Sequence, residues 1–221
     1  MDSTVTFTMR RYAAEIFRLQ EGREYVGLSD LAEPIDASFQ AISKMLGKLK
    51  EAGYLEHEPY RGVRLTESGM HIALPAIRRH RLGEVFLVRV MGFGWHEVHD
   101  YSDRFELGID QRLEDRMDEL CGHPARCPHG EPIPSREGIM PVVKDDSLVN
   151  RPAGSEYIIS RVRIHDPEKL RYIGELGLYP GAHLALVSIA PFNGPVRIKI
   201  GRQEEILSYE LASVLYVERS S

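Results

Sequence analysis

The strongest constraint in this chain is the order of elements in its first 65 residues. Tyr12, Ile16 and Leu19, with Ala13 and Phe17 beside them, recur at three- and four-residue steps and make one apolar helix face. Leu28 to Ala32 reads as a short helix capped by Ser29, and Pro34-Ile35-Asp36 turns the chain. Asp36 or Ser38 then caps a second helix, in which Phe39, Ile42, Met45, Leu46 and Leu49 form the buried stripe and Gly53 supplies the stop. After it, Tyr54 to Glu58 and Val63 to Leu65 alternate as strands around Pro59 to Gly62. Helix, tight turn, amphipathic helix and hairpin in that order make a winged helix-turn-helix.

On the second helix the stripe leaves Ser38, Gln40, Ser43, Lys44 and Lys48 on the other side. These side chains donate to phosphate oxygens, and Gln40 or Lys44 can also reach base edges in a major groove. Lys50, Arg61 and Arg64 add cations from the helix end and the wing. A polar face on a single helix is more often just a solvated face. It is the complete order of elements that points to double-stranded DNA as the partner.

Net charge does not argue against this. The chain of 221 residues carries 28 Lys and Arg against 33 Asp and Glu, a net charge of -5. That excludes a surface built throughout as a polyanion glove, but not a local basic face. Most of the acidic surplus lies in residues 66–140, where 13 acidic side chains face 9 basic ones and where His80, His96, His99, His123 and His129 also fall. Carboxylates mixed with imidazoles are the material of a divalent-metal site. The two cysteines, Cys121 and Cys127, are too few for a disulfide-built module. The start Met1-Asp2-Ser3-Thr4 lacks the basic and apolar blocks of a targeting peptide, so a reduced cytoplasm is expected. No apolar run approaches the roughly 20 residues of a membrane helix, so no membrane partner is expected.

From the cap Thr66-Glu67-Ser68 the chain is helical again. Ile72, Leu74, Ile77, Leu82, Val85, Phe86, Val88 and Val90 carry more apolar surface than one side of a lone helix hides. A further helix is expected from about Trp95 to Leu120. Such a pair buries its surplus in an intrachain bundle or against a second copy of itself. Gly122 to Pro134, rich in Pro and Gly, reads as a loop, and residues 141–154 read as a linker. Tyr157 to Val162, Ala182 to Ile189, Val196 to Ile200 and Glu205 to Leu207 follow as short strands, interrupted by a short helix from Tyr172 to Leu176. The expected fold is mainly α with a small β-barrel. It comprises a winged helix-turn-helix at 1–65, a helical dimerisation and metal-binding domain at 66–140, a linker at 141–154 and the barrel at 155–221.

Within the middle segment, His80 and Glu84 are four apart and share a helix face. His99, Asp103 and Glu106 follow the same helical steps. Two such faces packed together offer two imidazoles and three carboxylates to one divalent ion. The alternative is a set of surface ion pairs with Arg78, Arg79, Arg81 and Arg104. Cys127 and His129 stand two apart in the loop, where both can bend to one ion, and Cys121 with His123 repeats the pairing, so a Cys2His2 zinc site is formally open. A hydrolase using the same cluster to activate water is a rival of another class, but no oxyanion loop or phosphate cradle accompanies it. A winged-helix adaptor structured by zinc is another rival.

Taken in order, the helix-turn-helix, His80-Arg81-Leu82 with Glu84, Val98-His99-Asp100 and Glu106 resemble the diphtheria toxin repressor family of metal-dependent transcriptional regulators. Cys127-Pro128-His129-Gly130 and Ile133-Pro134 resemble a loop of its manganese-responsive branch. Leu176-Gly177-Leu178-Tyr179-Pro180-Gly181 is similar to the ferrous iron transport protein A domain attached in that family. The resemblance implies a homodimeric repressor of metal-uptake genes, not an enzyme, that binds a palindromic operator when divalent metal is present. It places His80, Glu84 and His99 in an ancillary site, joins Glu84, Cys127 and His129 with Asp166, and assigns Asp103 and Glu106 to a primary site. Leu107 stands where the family has a His ligand, and Arg11 where an N-terminal Asp or Met closes that site. A primary site would then draw on His80, Asp103, Glu106 and Met9 or water. Mn²⁺ is the expected cofactor, Fe²⁺ the alternative, and Zn²⁺ or Cd²⁺ can occupy such donors in vitro.

Overall fold

The computed structural model describes residues 5–220. Met1-Asp2-Ser3-Thr4, expected not to be a targeting peptide, lies outside the described residues. The chain divides into two compact units. The first runs to Arg79 and takes in Pro134–Met140; the second comprises His80–Ile133 and the chain from Pro141 on.

In the first unit α1 (Phe7–Gln20) starts at Thr6, whose hydroxyl accepts the Met9 N–H at 3.2 Å. A 3-10 turn, Ser29–Leu31, leads into α2 (Ala32–Ile35) without the expected cap, since Leu28 holds the N-cap position and Ser29 is the first residue of the turn. Asp36 takes φ +51°, which stops the helix. Ser38 caps α3 (Phe39–Glu51), its hydroxyl accepting from Ala41 N at 3.3 Å. Ile42, Leu46 and Leu49 are buried as the stripe requires, but Phe39 is 60 % exposed. At the first helical position it lies a turn before Ile42, outside the part of the helix that packs on α1 and α2. The wing is β1 (Leu55–Glu58) against β2 (Gly62–Leu65), antiparallel. The core of this unit joins Tyr12, Ile16, Val26, Leu31, Ile42, Leu49 and Val63 to Ile72 and Ala73 of α4 (Glu67–Arg89).

In the second unit the expected single helix from Trp95 to Leu120 is two. α5 (Val98–Phe105) passes into a 3-10 turn, Glu106–Gly108, and α6 (Gln111–Leu120) begins afresh at Asp110, which accepts from Leu113 N at 2.9 Å. Gly108 and a strong Asp N-cap make the break cheaper than continuation. Leu82, Val85, Ile109, Met117, Cys121, Cys127 and Ile133 form a core of their own.

The C-terminal part carries β3 (Asp146–Ser147), β4 (Ser155–Val162), α7 (Pro167–Glu175), β5 (His183–Ile189), β6 (Val196–Ile200), β7 (Gln203–Leu207), α8 (Tyr209–Ser213) and β8 (Leu215–Arg219). The barrel expectation is corrected here. The six strands form one open antiparallel sheet in the order β3-β8-β4-β5-β6-β7, with β3 and β7 as edges. Its inner residues Tyr157, Ile159, Leu184, Leu186, Val196 and Ile198 are covered by Leu170 and Ile173 of α7, Ala212 of α8 and Leu148 after β3. Helices cover the face that closure of the sheet would otherwise have had to seal.

Asp145 anchors this sheet. Its carboxylate takes Arg161 at 2.7 and 2.8 Å and also bonds the hydroxyl of Ser160, which sits at a bulge in β4. Burial alone would push the Asp145 carboxyl up, but the Arg161 and Ser160 hydrogen bonds and the Arg161 charge hold it below the ordinary range. The stability it contributes is therefore complete above the unfolded value of about 3.9 and is lost as pH falls through the lower folded value. Asp145→Asn is expected to cost about 2 kcal/mol at neutral pH. It should also remove that part of the acid limb, as read from urea midpoints between pH 2 and 7; an unchanged midpoint at pH 7 would contradict this.

Candidate metal centre

His80 and Glu84 share one face of α4 and are both 2 % exposed. Glu84 Oε1 lies 3.3 Å from His80 Nε2, 3.4 Å from His99 Nδ1 and 3.5 Å from His129 Nδ1. One buried carboxylate oxygen therefore faces three imidazoles brought by α4, α5 and the loop after α6. On its other side, His80 Nδ1 is 3.2 Å from Asp103 Oδ1 and 3.3 Å from Glu106 Oε2, so one imidazole stands between two carboxylate groups. The donor atoms form two groups, each within 4.8 Å: His80, His99 and Asp103, and Glu84, Cys127 and His129.

Two of the arginines considered as surface partners reach other groups. Arg78 donates to the Pro134 carbonyl at 2.8 Å, and Arg81 reaches Glu131 at 3.3 Å. Glu131 also meets Arg161 and Arg163 of the sheet domain, at 3.2 and 3.4 Å.

Backbone contacts hold the Cys127 to Gly130 turn on the sheet. The Gly130 N–H donates to Cys127 O and the Val162 N–H to His129 O, both at 2.9 Å. Gly130 has φ +87°, and a methyl group there would lie 2.0 Å from Ser160 O, so no other residue fits. His129 Nε2 is 2.8 Å from the Trp95 carbonyl. A carbonyl only accepts, so Nε2 carries the hydrogen and Nδ1 is the nitrogen facing Glu84 and Cys127 Sγ, the latter at 3.9 Å. That is the outer hydrogen bond that orients metal-binding imidazoles.

Burial by itself would push the Glu84 carboxyl up, but the charge and hydrogen bond of His129, with those of His80, hold it well below the usual carboxylate range. Burial would likewise lower His129; Glu84 and Cys127 raise it well above its ordinary value instead. Burial and the neighbouring Glu84 charge push the Cys127 thiol up against the opposing pull of His129. Thiol, imidazoles and carboxylates gathered in a buried space match the donor chemistry of a divalent cation.

Other expected residues lie elsewhere. Asp166 Oδ1 caps α7, accepting from Glu168 N and Lys169 N at 2.9 and 3.0 Å, and does not stand in either donor group. The sequence signal Asp166-Pro167-Glu168 is that of a helix start. Instead His165 brings the sheet domain to the cluster, its ring stacked on His99 at 3.8 Å. Cys121 belongs to the apolar core and His123 pairs with Asp118 at 3.0 Å, so a Cys2His2 site does not assemble. Leu107 is 63 % exposed. Arg11 donates to Ile35 O at 3.3 Å, and Met9 is packed in the winged-helix core. On α3, Gln40, Ser43, Lys44, Lys48 and Lys50 are exposed, as is the cap Ser38. Arg61 is instead bound to Glu24 at 2.7 Å and Glu58 at 3.1 Å, and Arg64 to Glu24 at 2.9 Å and Glu56 at 2.7 Å.

A winged helix joined to a buried cluster of imidazoles, carboxylates and a thiol, and then to a small antiparallel sheet, defines a metal-responsive DNA-binding regulator. Comparison with known proteins agrees. Three domain families match the chain. They are the iron dependent repressor N-terminal DNA binding domain at residues 4–63, the iron dependent repressor metal binding and dimerisation domain at 66–135, and the FeoA domain at 147–219. The iron-dependent repressor IdeR of Mycobacterium tuberculosis is 29 % identical over 96 % of this chain and 97 % of its own. The HTH-type transcriptional regulator MntR of Bacillus pumilus is 33 % identical over 52 % of this chain and 79 % of its own. A solved manganese-dependent transcriptional repressor in complex with manganese is 32 % identical with a TM-score of 0.91, covering 96 % of this chain and 100 % of that one. The chain belongs to the iron-dependent repressor family, that of the diphtheria toxin repressor: it is a metal-dependent DNA-binding transcriptional repressor and not an enzyme.

Asp166→Ala is expected to destabilise the sheet domain by about 1 kcal/mol, the loss of a helix cap. Metal uptake measured by calorimetry should stay unchanged. Glu84→Gln should do the reverse, weakening uptake strongly while the fold survives. A loss of uptake in Asp166→Ala would instead place that residue among the ligands.

Proposed function

We propose that this chain is a manganese-responsive repressor that binds a palindromic operator as a homodimer through a centre built from His80, Glu84, His99, Asp103, Glu106, Cys127 and His129. The observation that carries the proposal is the buried Glu84 oxygen ringed by three imidazoles, an arrangement an apolar core has no use for. When bound, a divalent cation supplies the positive charge around which these donors gather. In its absence Glu84 and His129 hold each other as an ion pair and Cys127 keeps its proton. Cys127 and His129 give up protons when they become ligands, so affinity rises with pH.

Asp103 and Glu106 are hard oxygen donors that suit manganese, and the manganese held by the matched repressor complex supports that choice. Iron is the second reading, supported by the full-length match to an iron-dependent repressor. Zinc and cadmium, each bound in a solved structure of the similar protein ScaR, suit the group containing Cys127 and can occupy it in vitro.

On the DNA side, Lys44 and Lys48 expose ammonium groups on α3, with Ser38, Gln40 and Ser43 beside them. In a dimer, two such helices read half-sites about 34 to 36 Å apart. Val90 and Met91 just after α4, and Leu113 and Leu120 on α6, leave apolar surface exposed, which suits burial against a second copy. No helix among the described residues is long and apolar enough to cross a membrane, and the DNA partner proposed here suits a cytoplasmic protein.

Gel-shift titration on DNA from upstream of the protein's own gene tests this directly. Mn²⁺ should raise affinity at least tenfold, and Fe²⁺ less; affinity indifferent to both ions would end the proposal. Lys44→Ala should weaken binding across sequences and reduce the salt slope by about 1 while leaving metal uptake intact. Lost metal uptake in that variant would mean that the two functions are misplaced.

A further inference from the structure

The Glu84, Cys127 and His129 group is oriented from the sheet domain by a path that uses none of its ligands. The Trp95 carbonyl takes the His129 Nε2 hydrogen at 2.8 Å and so leaves Nδ1 to the cluster. Trp95 lies between α4 and α5, in a turn closed by the Glu97 N–H on Gly94 O at 3.2 Å, and in no helix or strand. Its indole is held from outside. The Tyr179 ring lies 4.9 Å away, and the indole packs against the core of the sheet domain. Both rings converge on Gly174 in α7, where an added methyl group would lie 2.7 Å from Tyr179 Oη and 2.9 Å from Trp95 Nε1. Indole, phenol and helix backbone therefore meet with no space left for a single carbon. The His129 ring itself lies 5.6 Å from the indole, so the same residue packs against the imidazole and fixes its hydrogen.

We propose that Trp95 is a positioning residue through which the C-terminal sheet domain sets the metal affinity of the Glu84, Cys127 and His129 group, its indole clamped by its packing with Gly174 and Tyr179 and its carbonyl fixing the ring of His129. Loosening or displacing the clamp moves the carbonyl and frees the imidazole to turn, without touching a ligand. The inference rests on that group binding metal, as proposed above. Outer hydrogen bonds of this kind are worth about 10- to 100-fold in metal affinity.

Co²⁺ alone is a suitable probe, because a cobalt-bound thiolate gives a near-ultraviolet charge-transfer band that imidazole and carboxylate ligands do not. In the full-length protein this band should appear on titration, vanish in Cys127→Ser, and follow the same curve as the emission of Trp95, the chain's single tryptophan. Gly174→Ala and Trp95→Ala should each move the midpoint of the band to about tenfold higher Co²⁺. The visible cobalt bands that persist in Cys127→Ser should keep their midpoint, and circular dichroism should keep its wild-type helix content. Trp95→Phe, which keeps a ring in the clamp, should return close to wild type. If Gly174→Ala fails to fold, Trp95→Ala carries the test.

Wild-type midpoints in both the alanine variants, or an equal shift of both cobalt signals, would overturn the proposal while leaving the metal site standing. Absence of the thiolate band from the wild-type protein would overturn the site itself and this inference with it.

Discussion

Taking the Glu84 carboxylate out of water costs on the order of several kcal/mol, and the elements around it are arranged to supply that charge with partners. α4 brings His80 one turn away, α5 brings His99, and the loop after α6 brings His129. None of these can move far without stranding a buried charge, so three separate segments are tied to one oxygen atom. The ties continue outward. His129 is held by the Trp95 carbonyl and the β4 backbone, and Glu131, two residues on, meets Arg81, Arg161 and Arg163. The second unit is thus organised around a buried charge that its imidazole neighbours balance.

What the sequence disclosed follows from periodicity. The four-residue step from His80 to Glu84 and the steps from His99 to Asp103 and Glu106 are helical spacings, and a helix turns them into shared faces without help from the rest of the fold. Cys127 and His129 were visible because few loops place a thiol and an imidazole two apart. The winged helix was legible for the same reason, through the Ile42, Leu46 and Leu49 stripe and the Ser38 cap. Features set by tertiary contact were not visible. The Trp95 carbonyl is a backbone atom with no sequence signature, and the Asp145–Arg161 pair joins residues whose proximity depends on the register of the sheet. Whether short strands close into a barrel depends on what covers their face, and here α7, α8 and Leu148 do so. Asp166 carries a local signal as well, since Asp166-Pro167-Glu168 is a helix start and Asp166 caps α7.

One continuous helix serves both tasks. Ile72 and Ala73 of α4 are part of the winged-helix core, while His80 and Glu84, two and three turns on, belong to the cluster. In the proposed function, coupling between metal and DNA would run along this helix. For such coupling to exist, the ion must bind the DNA-competent arrangement more tightly than the alternatives, since a ligand indifferent to the two shifts nothing.

The wing carries a consequence for how the protein searches DNA. Arg61 and Arg64 are already engaged by Glu24, Glu56 and Glu58, and both lie over the ring of Tyr25. A phosphate that recruits either guanidinium must first displace a carboxylate, so the contact is an exchange of anions and not the creation of a new ion pair. On arbitrary DNA, where no base contacts compensate, that exchange yields little. In the proposed DNA complex the wing would therefore add little non-specific attraction, and short dwell times on the wrong sequences would follow if the backbone were held chiefly by the exposed lysines of α3.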